Sequence, residues 1–447
     1  MKLNKTMDQR MTIFALSWPL LIETFLRMLF NNIDVMMLSR YSDDAVAAVG
    51  LIGQLMFMVI ILFMMVNTGA ITLISQYNGS ERYNESSKIT AAAISLSAVF
   101  GIVATLILTL GANPILGIYD LEPAVRGYAY DYLFIFGLFC VGTALSTVFA
   151  AILRSYGYTQ SAMVVTFGCN VINIIGNYLF IFGPFGIPVL GVKGVAISTV
   201  ASNCINAVIM LYIISTKKEI GLNIKSITSV TVESYKKILN FGLPNGGENL
   251  SYNLAQLVSY KVIAISGTAA LTAAVYTQTF QRFIMIIPFA LMQSSQIYVG
   301  YLVGKRRFDE AYHKIKNVWY FVFSVALVAS IGVAYFRHEL IKIFTEDPSV
   351  ASIAVVLMVA AILWETGRTF NLIFIGALKG AGDVHFPVRA GIVSMWGIAV
   401  FFSYLLGLKF GLGALGVWLA FSMDEWGRGL VMFFRWRSRA WETKRVE

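Results

Sequence analysis

The sequence predicts an all-α integral membrane protein with twelve transmembrane helices in two six-helix lobes that are related as parallel repeats. Three observations support this fold class: the composition, the number of apolar stretches and an internal repeat. Of the 447 residues, 57% are hydrophobic and only 13% are charged, whereas soluble domains carry about 25% charged residues. Mean hydropathy is +0.72. So much apolar surface requires a lipid environment.

Apolar stretches of the length needed to cross a bilayer, about 20 residues, recur along the chain. In the first half they fall near 12–38, 45–75, 89–111, 127–151, 161–182 and 191–214. After a polar break they fall near 238–262, 269–299, 317–336, 351–378, 387–406 and 412–434. Open strands would leave backbone groups unsatisfied in lipid. We therefore expect each stretch to form a helix.

The two halves match at a shift of 225 residues, which takes Pro19 to Pro244 and Glu23 to Glu248. The other matched pairs are Ala48 and Ala273, Gly79 and Gly304, Leu153 and Leu378, Arg154 and Lys379, and Gly157 and Gly382. Six spans per half is an even number, so both halves start on the same side of the membrane, as parallel repeats of transporters do. The predicted limits are 1–215 for the N-terminal lobe, 216–237 for a cytoplasmic linker, and 238–447 for the C-terminal lobe with a basic tail.

The net charge of +10 reflects basic loops rather than a nucleic-acid surface. Lys and Arg concentrate in the middle loop, in the segment GKRRFDEAYHKIK and in the tail RWRSRAWETKRVE, which share one side of the predicted topology. The positive-inside rule then places both termini in the cytoplasm. We expect a multi-pass protein of the cell membrane, the inner membrane in a bacterium, whose tail contacts anionic lipid headgroups and which binds no nucleic acid.

The sequence lacks a pattern typical of catalysis. Cys140, Cys169 and Cys204 all fall in apolar stretches, with neither a disulfide framework nor metal-ligand spacing. A membrane-embedded enzyme would need a metal or nucleophile cluster at membrane depth, and no HExxH or DxxxD-type aspartate motif occurs there. We expect no enzymatic activity and no bound cofactor.

Three charged residues lie inside the first predicted span: Glu23, Arg27 and Asp34. Each charge near the bilayer centre costs roughly 2.5–3.5 kcal/mol on insertion scales. At about 100° per residue the three lie within about 40° of one another, so their stripe must line a cleft or a water-filled pocket. Glu23 and Arg27 can pair, which leaves Asp34 less obviously compensated. The alternative is a structural polar network that holds helices together.

These features resemble the multidrug and toxic compound extrusion (MATE) family over essentially the whole chain. The segments that carry the resemblance are SWPLLIE, IDVMMLSRYSDDAVAAVGL, AILRSYGYTQSAM, GALKGAGDVHFP and GLGALGVWLAF. The resemblance implies a secondary antiporter for multidrug efflux, which exports organic, often cationic compounds in exchange for sodium ions or protons by alternating access. We expect a monomer whose partners are small-molecule substrates and membrane lipids.

The resemblance also implies a coupling site in the N-terminal lobe, where Asp34 corresponds to the first-helix acid of the family. Asn173 and Asn177 of the fifth helix and Thr199 of the sixth correspond to its fellow ligands. Such oxygen donors suit a small hard cation, so a sodium ion at Asp34 is one expectation, and proton carriage is equally open. Family members commonly carry an acid at the position of Asn177, so this site would hold one negative charge instead of two. The alternative for the asparagines is interhelical hydrogen bonding.

In the second half, Glu248 repeats Glu23. Family members with a site in the C-terminal lobe use an acid in the seventh helix, although Glu248 lies nearer the start of the helix than that pattern places it. Ser259 occupies the position equivalent to Asp34, so the coupling acid is not duplicated.

The tenth span carries Glu365, Arg368 and Asn371 at successive spacings of three, which gives it a broad polar face. The family places an acid in this helix, so Glu365 is a candidate for binding substrate or a proton. The alternative is a purely structural Glu365–Arg368 pair. Several other charged residues fall near estimated span ends, where snorkelling to headgroups or cavity water would explain them; they are Asp131, Lys261, Arg282, Asp424 and Glu425.

A rival function is a flippase for a lipid-linked saccharide or a related amphipathic lipid. Such proteins share a related architecture of twelve or more spans and should show extra spans or a more cationic cleft. This chain has twelve predicted spans and several intramembrane acids, so we favour export.

Overall fold

The computed structural model describes residues 7–222 and 230–446, and part of the predicted linker 216–237 therefore lies outside the described residues. All twelve predicted spans are helical. In the first half they are α1 (Ile13–Ser39), α2 (Asp43–Gly79), α3 (Tyr83–Leu110), α4 (segments Pro123–Leu138 and Cys140–Ser155), α5 (Thr159–Phe182) and α6 (Val192–Thr216). In the second half they are α7 (Val232–Ile265), α8 (segments Thr268–Ile284 and Ile286–Gly304), α9 (Phe308–Tyr335), α10 (Pro348–Ala381), α11 (His385–Lys409) and α12 (Gly413–Arg437).

Most of these helices are apolar enough to lie in a bilayer. Within the described residues, nine helices have the length and hydropathy of a membrane span, and the two segments of α4, bent by 56°, make a tenth. The helices α7 and α12 fall below that apolarity. In α12 the cause is a charged group of side chains that the fold buries.

Local sequence signals set several helix ends. Thr12 caps α1 by accepting a hydrogen bond from the backbone of Ala15. Asp347 caps α10 in the same way, and Pro348 occupies the first helical position, where its missing N–H has no cost. The helix α5 ends at Gly183, whose φ of 60° is left-handed and suits a residue without Cβ.

The repeat inferred from the sequence is also present in the backbone. Gly157 and Gly382, one at the end of each fourth span, have φ angles of 78° and 95°. Glu81 and Arg306, in equivalent short loops, are non-glycine residues with φ angles of 61° and 59°. Because positive φ is uncommon for such residues, its recurrence at the same 225-residue shift indicates two copies of one structural plan.

The chain divides into two compact units, residues 1–246 and 247–447, with the boundary inside α7. The predicted limits 1–215, 216–237 and 238–447 stay a prediction. Each unit has an apolar core of its own. In the first unit, Ile52, Leu108 and Leu133 are fully or almost fully buried together. In the second unit, the rings of Trp364 and Phe421 stack at 4.8 Å and join α10 to α12.

In the second unit, α11 and α12 approach each other through glycine. A Cβ placed at Gly416 would lie 2.5 Å from the backbone nitrogen of Gly407, closer than real Cβ contacts occur. Small residues of this kind allow the backbones of membrane helices to pack closely. At another point along α11, Ser394 contacts α12 by donating a hydrogen bond to Asp424 at 2.6 Å.

We expect Gly416→Ala to destabilise the protein by about 1–3 kcal/mol, because the added methyl group forces the two helices apart. Thermal unfolding in detergent should show a lower Tm. Gly397→Ala in α11 is the matched control, because a Cβ there meets no atom within 4 Å. Equal Tm values for the two variants would contradict the close approach.

Candidate functional site

The four residues expected to form a coupling site lie together in the first unit. Asn177 of α5 donates a hydrogen bond from Nδ2 to Oδ1 of Asp34 on α1 at 2.8 Å. Asn173, one turn earlier, donates to Oγ1 of Thr199 on α6 at 3.2 Å. Asp34 is half-buried, whereas Asn177 is only 1% exposed. We call these four residues the Asp34 site; its role in ion binding stays a prediction.

The Asp34 site offers oxygen atoms to a cation. The buried Oδ1 of Asn177 has no hydrogen-bond partner among the described residues. Carboxylate, amide and hydroxyl oxygens are ligands that small hard cations prefer. No group of three His, Cys, Asp or Glu side chains arranged for a metal occurs among the residues that the structure describes. Any cation here would therefore depend on one carboxylate supported by neutral oxygens.

The predicted Glu23–Arg27 pair is present, and it is part of a larger group. Oε1 of Glu23 accepts from Arg27 at 2.7 Å and from Arg154 on α4 at 2.5 Å. The side chains of Glu23 and Arg154 are 4% and 12% exposed, but that of Arg27 is 60% exposed. These three residues, here the Arg27 triad, hold two positive charges and one negative charge.

The second unit repeats the ion pair that joins the first and fourth helices of the first unit. Glu248 on α7 accepts from Nζ of Lys379 on α10 at 2.7 Å, at positions equivalent to Glu23 and Arg154. Both members of each pair are buried or nearly so. Such pairing removes much of the cost of a charge in a membrane span. Glu248 therefore serves here as one half of an interhelical ion pair.

The polar face of α10 forms the predicted pair and extends beyond it. Oε1 of Glu365 accepts from Arg368 at 2.9 Å and from Gln281 on α8 at 2.9 Å. The guanidinium of Arg368 also lies over the ring of Trp364, 4.7 Å from its centroid, a favourable cation–π arrangement. The second carboxylate oxygen of Glu365 is buried and has no partner among the described residues.

Charged side chains of α12 face the polar side chains of α10. Glu425 accepts from Asn371 at 2.7 Å, and its other oxygen lies 3.5 Å from Nε of Arg368. Arg428 pairs with Asp424 at 2.6 Å and with Glu425 at 3.2 Å. Asp424 also accepts from Ser394 of α11 at 2.6 Å; a π-helical turn follows directly at Met395–Val400, a feature that is frequent at functional sites.

We call this group the α10–α12 network. Its charged members are three carboxylates and two guanidiniums, so it holds a surplus negative charge when all are ionised. They are Glu365, Arg368, Asp424, Glu425 and Arg428.

The sequence-based interpretation of two charged residues is wrong. Asp424 and Glu425 are 0% and 3% exposed in the middle of α12, not snorkelling at a span end. Arg282 lies in the last turn of the first segment of α8 and is exposed, so its interpretation as a residue that reaches headgroups or cavity water stays a prediction. Arg428 is a further member of the α10–α12 network that the sequence-based prediction does not include. The spacing of Asp424 and Arg428 by four residues is the signal that could have indicated it, because such spacing permits an intrahelical pair.

The fold and the buried charges define a class of protein: a polytopic helical membrane protein built from two repeats, as secondary transporters are. The MatE family model matches residues 19–179 and 244–405, so the chain belongs to that family. Its members are transporters and not enzymes. The predicted family, fold class and lack of enzymatic activity are confirmed.

Individual relatives match over nearly the full length. The "Uncharacterized transporter YisQ" of Bacillus subtilis (strain 168) is 39% identical over 442 residues, which cover 99% of this chain and 97% of that protein. The "Probable multidrug resistance protein NorM" of Thermotoga maritima is 26% identical over 438 residues, covering 98% and 94%. A solved structure described as the outward-facing conformation of a multidrug resistance MATE family transporter of the MOP superfamily has a TM-score of 0.86 at 18% identity, covering 96% and 95%. The chain is thus a multi-pass membrane transporter of the MatE family.

Removing one cation from the α10–α12 network should cost far more stability than removing one anion. Arg428→Gln leaves three carboxylates with one guanidinium, and an uncompensated buried charge costs about 3–5 kcal/mol. Glu365→Gln leaves two carboxylates with two guanidiniums and should cost less than about 1 kcal/mol. Thermal unfolding of the two variants in detergent measures the difference. Equal losses of stability would contradict the charge count.

Proposed function

We propose that this protein is an exporter that moves organic compounds out of the cytoplasm in exchange for sodium ions or protons. The observation that carries this proposal is the Asp34 site. There, a half-buried carboxylate is held by Asn177, whose amide oxygen is buried and has no partner among the described residues. An ionised carboxylate inside a span is costly. The binding of a proton or a sodium ion at Asp34 would therefore change which packing of its surroundings is favoured.

Ion binding and substrate transport would be coupled because the favoured packing depends on the charge of Asp34. Pro19 lies inside α1, where it removes one backbone hydrogen bond and predisposes the helix to bend. Neutralisation of Asp34 would permit α1 to repack, whereas the ionised form requires contact with water. If substrate and cation favour different states, each drives release of the other. The membrane potential contributes about 2.3 kcal/mol per charge for each 100 mV.

Other features support this proposal. The NorM relative is described as a multidrug resistance protein, and the YisQ relative as a transporter. The distribution of Lys and Arg supports placing both termini in the cytoplasm. We propose a monomer in the cell membrane, with small organic molecules and lipids as its partners. The surplus negative charge of the α10–α12 network makes Glu365 a second acceptor for a proton or cation.

A flippase for a lipid-linked saccharide is the second candidate function. One observation favours it: the exposed guanidinium of Arg27 lies near the middle of α1, and the phosphate of such a lipid is an anion. The experiments on Arg27 described below separate the two candidates.

We expect Asp34→Asn to reduce gradient-driven export by at least about tenfold, because the amide can neither carry a proton nor attract a cation as a carboxylate does. Purified protein in liposomes should be tested with a sodium gradient and with a proton gradient separately. Asp120→Asn, in an exposed loop, is the matched control for loss of one negative charge. Undiminished export by a folded Asp34→Asn variant would remove Asp34 from the coupling mechanism.

We expect Asn177→Asp to lower the sodium concentration for half-maximal export by about tenfold, the effect of roughly 1.4 kcal/mol of added attraction. The substitution places a second carboxylate beside Asp34, where the native chain has a neutral amide. Asn177→Ala, which removes the amide oxygen, should weaken sodium dependence instead. If sodium dependence is the same in both variants, the coupling ion does not bind at Asn177.

A further inference from the structure

In the middle of the described spans the acidic side chains are buried, whereas the exposed charged side chains are basic. The acidic side chains there are all buried: Glu23, Glu248, Glu365, Asp424 and Glu425. The exposed charged side chains there are basic, namely Arg27 in α1 and Arg282 in α8. Asp34, nearer the end of α1, is half-buried against Asn177. The charge that a molecule could reach at this depth is therefore positive in each unit.

Arg27 lies near the middle of its helix. It is about 21 Å from the start of α1 at Ile13 and about 18 Å from its end at Ser39, at 1.5 Å per residue. The hydrocarbon core is about 30 Å thick, so in a span of this length the side chain of Arg27 is too far from either headgroup layer to snorkel. An arginine exposed to hydrocarbon at this depth costs at least about 2.5–3.5 kcal/mol. The exposed surface of Arg27 must therefore face water or a bound molecule.

The contacts of Arg27 show how far its positive charge is neutralised by neighbouring side chains. Its neighbours on the same stripe of α1, Glu23 and Asp34, are turned towards α4 and α5, where they contact Arg154 and Asn177. Glu23 shares one oxygen between Arg154 and Arg27, so it neutralises one guanidinium and leaves one positive charge over. The surplus positive charge lies on Arg27, the exposed member of the Arg27 triad. Arg27 thus presents an incompletely compensated guanidinium on the polar side of the helix.

We propose that the transported compound carries an anionic group, a carboxylate or a phosphate, which Arg27 binds near the middle of the membrane. A guanidinium is suited to this task because its planar donors match a carboxylate or phosphate in a two-point hydrogen bond. Glu23 holds Arg27 in place through the 2.7 Å contact. This inference rests on the proposed transport function and names its substrate class. It differs from the often cationic compounds that the family resemblance implies.

The experiment uses the full-length protein in liposomes under the gradient that supports transport. The soluble probes are carboxyfluorescein, an organic anion, and ethidium, an organic cation. The lipid probes are fluorescent phosphatidylglycerol, which is anionic, and fluorescent phosphatidylcholine, which is zwitterionic. Transport of carboxyfluorescein indicates a soluble substrate, and selective flipping of phosphatidylglycerol indicates a lipid. Transport of each probe is measured for the native protein and for Arg27→Gln, Arg27→Lys and Arg282→Gln.

We expect saturable transport of at least one anionic probe, with a KM raised at least about tenfold by Arg27→Gln and partly restored in Arg27→Lys. Lys88→Gln is the control, because Lys88 is an exposed lysine at the start of α3, and it should leave the KM unchanged. Arg282→Gln tests the second basic position independently.

Transport of ethidium but of neither anion, unchanged in Arg27→Gln, would overturn the inference and leave the exporter function intact. If the movement of all four probes across the membrane is the same with and without the gradient, the exporter function is contradicted. The inference, which rests on that function, is then contradicted too.

Discussion

The cost of placing a charge inside a membrane is the constraint on which the rest of this structure depends. Lipid offers no hydrogen bonds and little dielectric screening, so a charged side chain in a span needs a partner or water. The chain meets this requirement mainly by pairing helices through their charges. Glu23 joins α1 to α4, Glu248 joins α7 to α10, and Glu425 joins α12 to α10. The positions of ion pairs therefore also determine which helices stay together.

The two repeats share one plan and differ in where they place ionisable groups. Both repeats have an ion pair between their first and fourth helices, Glu23–Arg154 in one and Glu248–Lys379 in the other. At the positions equivalent to Arg368 and Arg428, the first half has Thr143 and Asn203. These two neutral side chains hydrogen-bond at 3.0 Å. In the first half Asp34 accepts a hydrogen bond from an amide and has no ion pair among the described residues, whereas the second half concentrates three acids in one network.

This difference between the repeats has a functional reading. A single half-buried carboxylate beside neutral amides responds to one proton or one cation, which suits a coupling site. A network of several paired charges holds its helices in one arrangement, and its surplus negative charge is the reason why we propose Glu365 as a second acceptor for a proton or cation. Exposed arginines complete the pattern that we propose, as the charges that a substrate would contact. In this proposal, coupling, structural and recognition roles fall on separate residues.

The sequence by itself determined the helices, the repeat and the charged stripe of α1. Those features depend on composition and on periodicity along one helix, which are local properties of the chain. The Glu23–Arg27 and Glu365–Arg368 pairs were predictable for the same reason, since residues three or four apart share a helix face. The gathering of Asp34 with Asn177 came from family resemblance and not from spacing.

Only the tertiary structure decided which helices share charges. Arg154 is far from Glu23 in sequence, so nothing local indicates that it is the second partner of that carboxylate. Asp424 and Glu425 looked like interfacial residues because span limits read from hydropathy are imprecise, and a buried ion network lowers the hydropathy of the helix that carries it. Interhelical pairing depends on the packing of distant segments, and that packing also fixes which charges remain open to water.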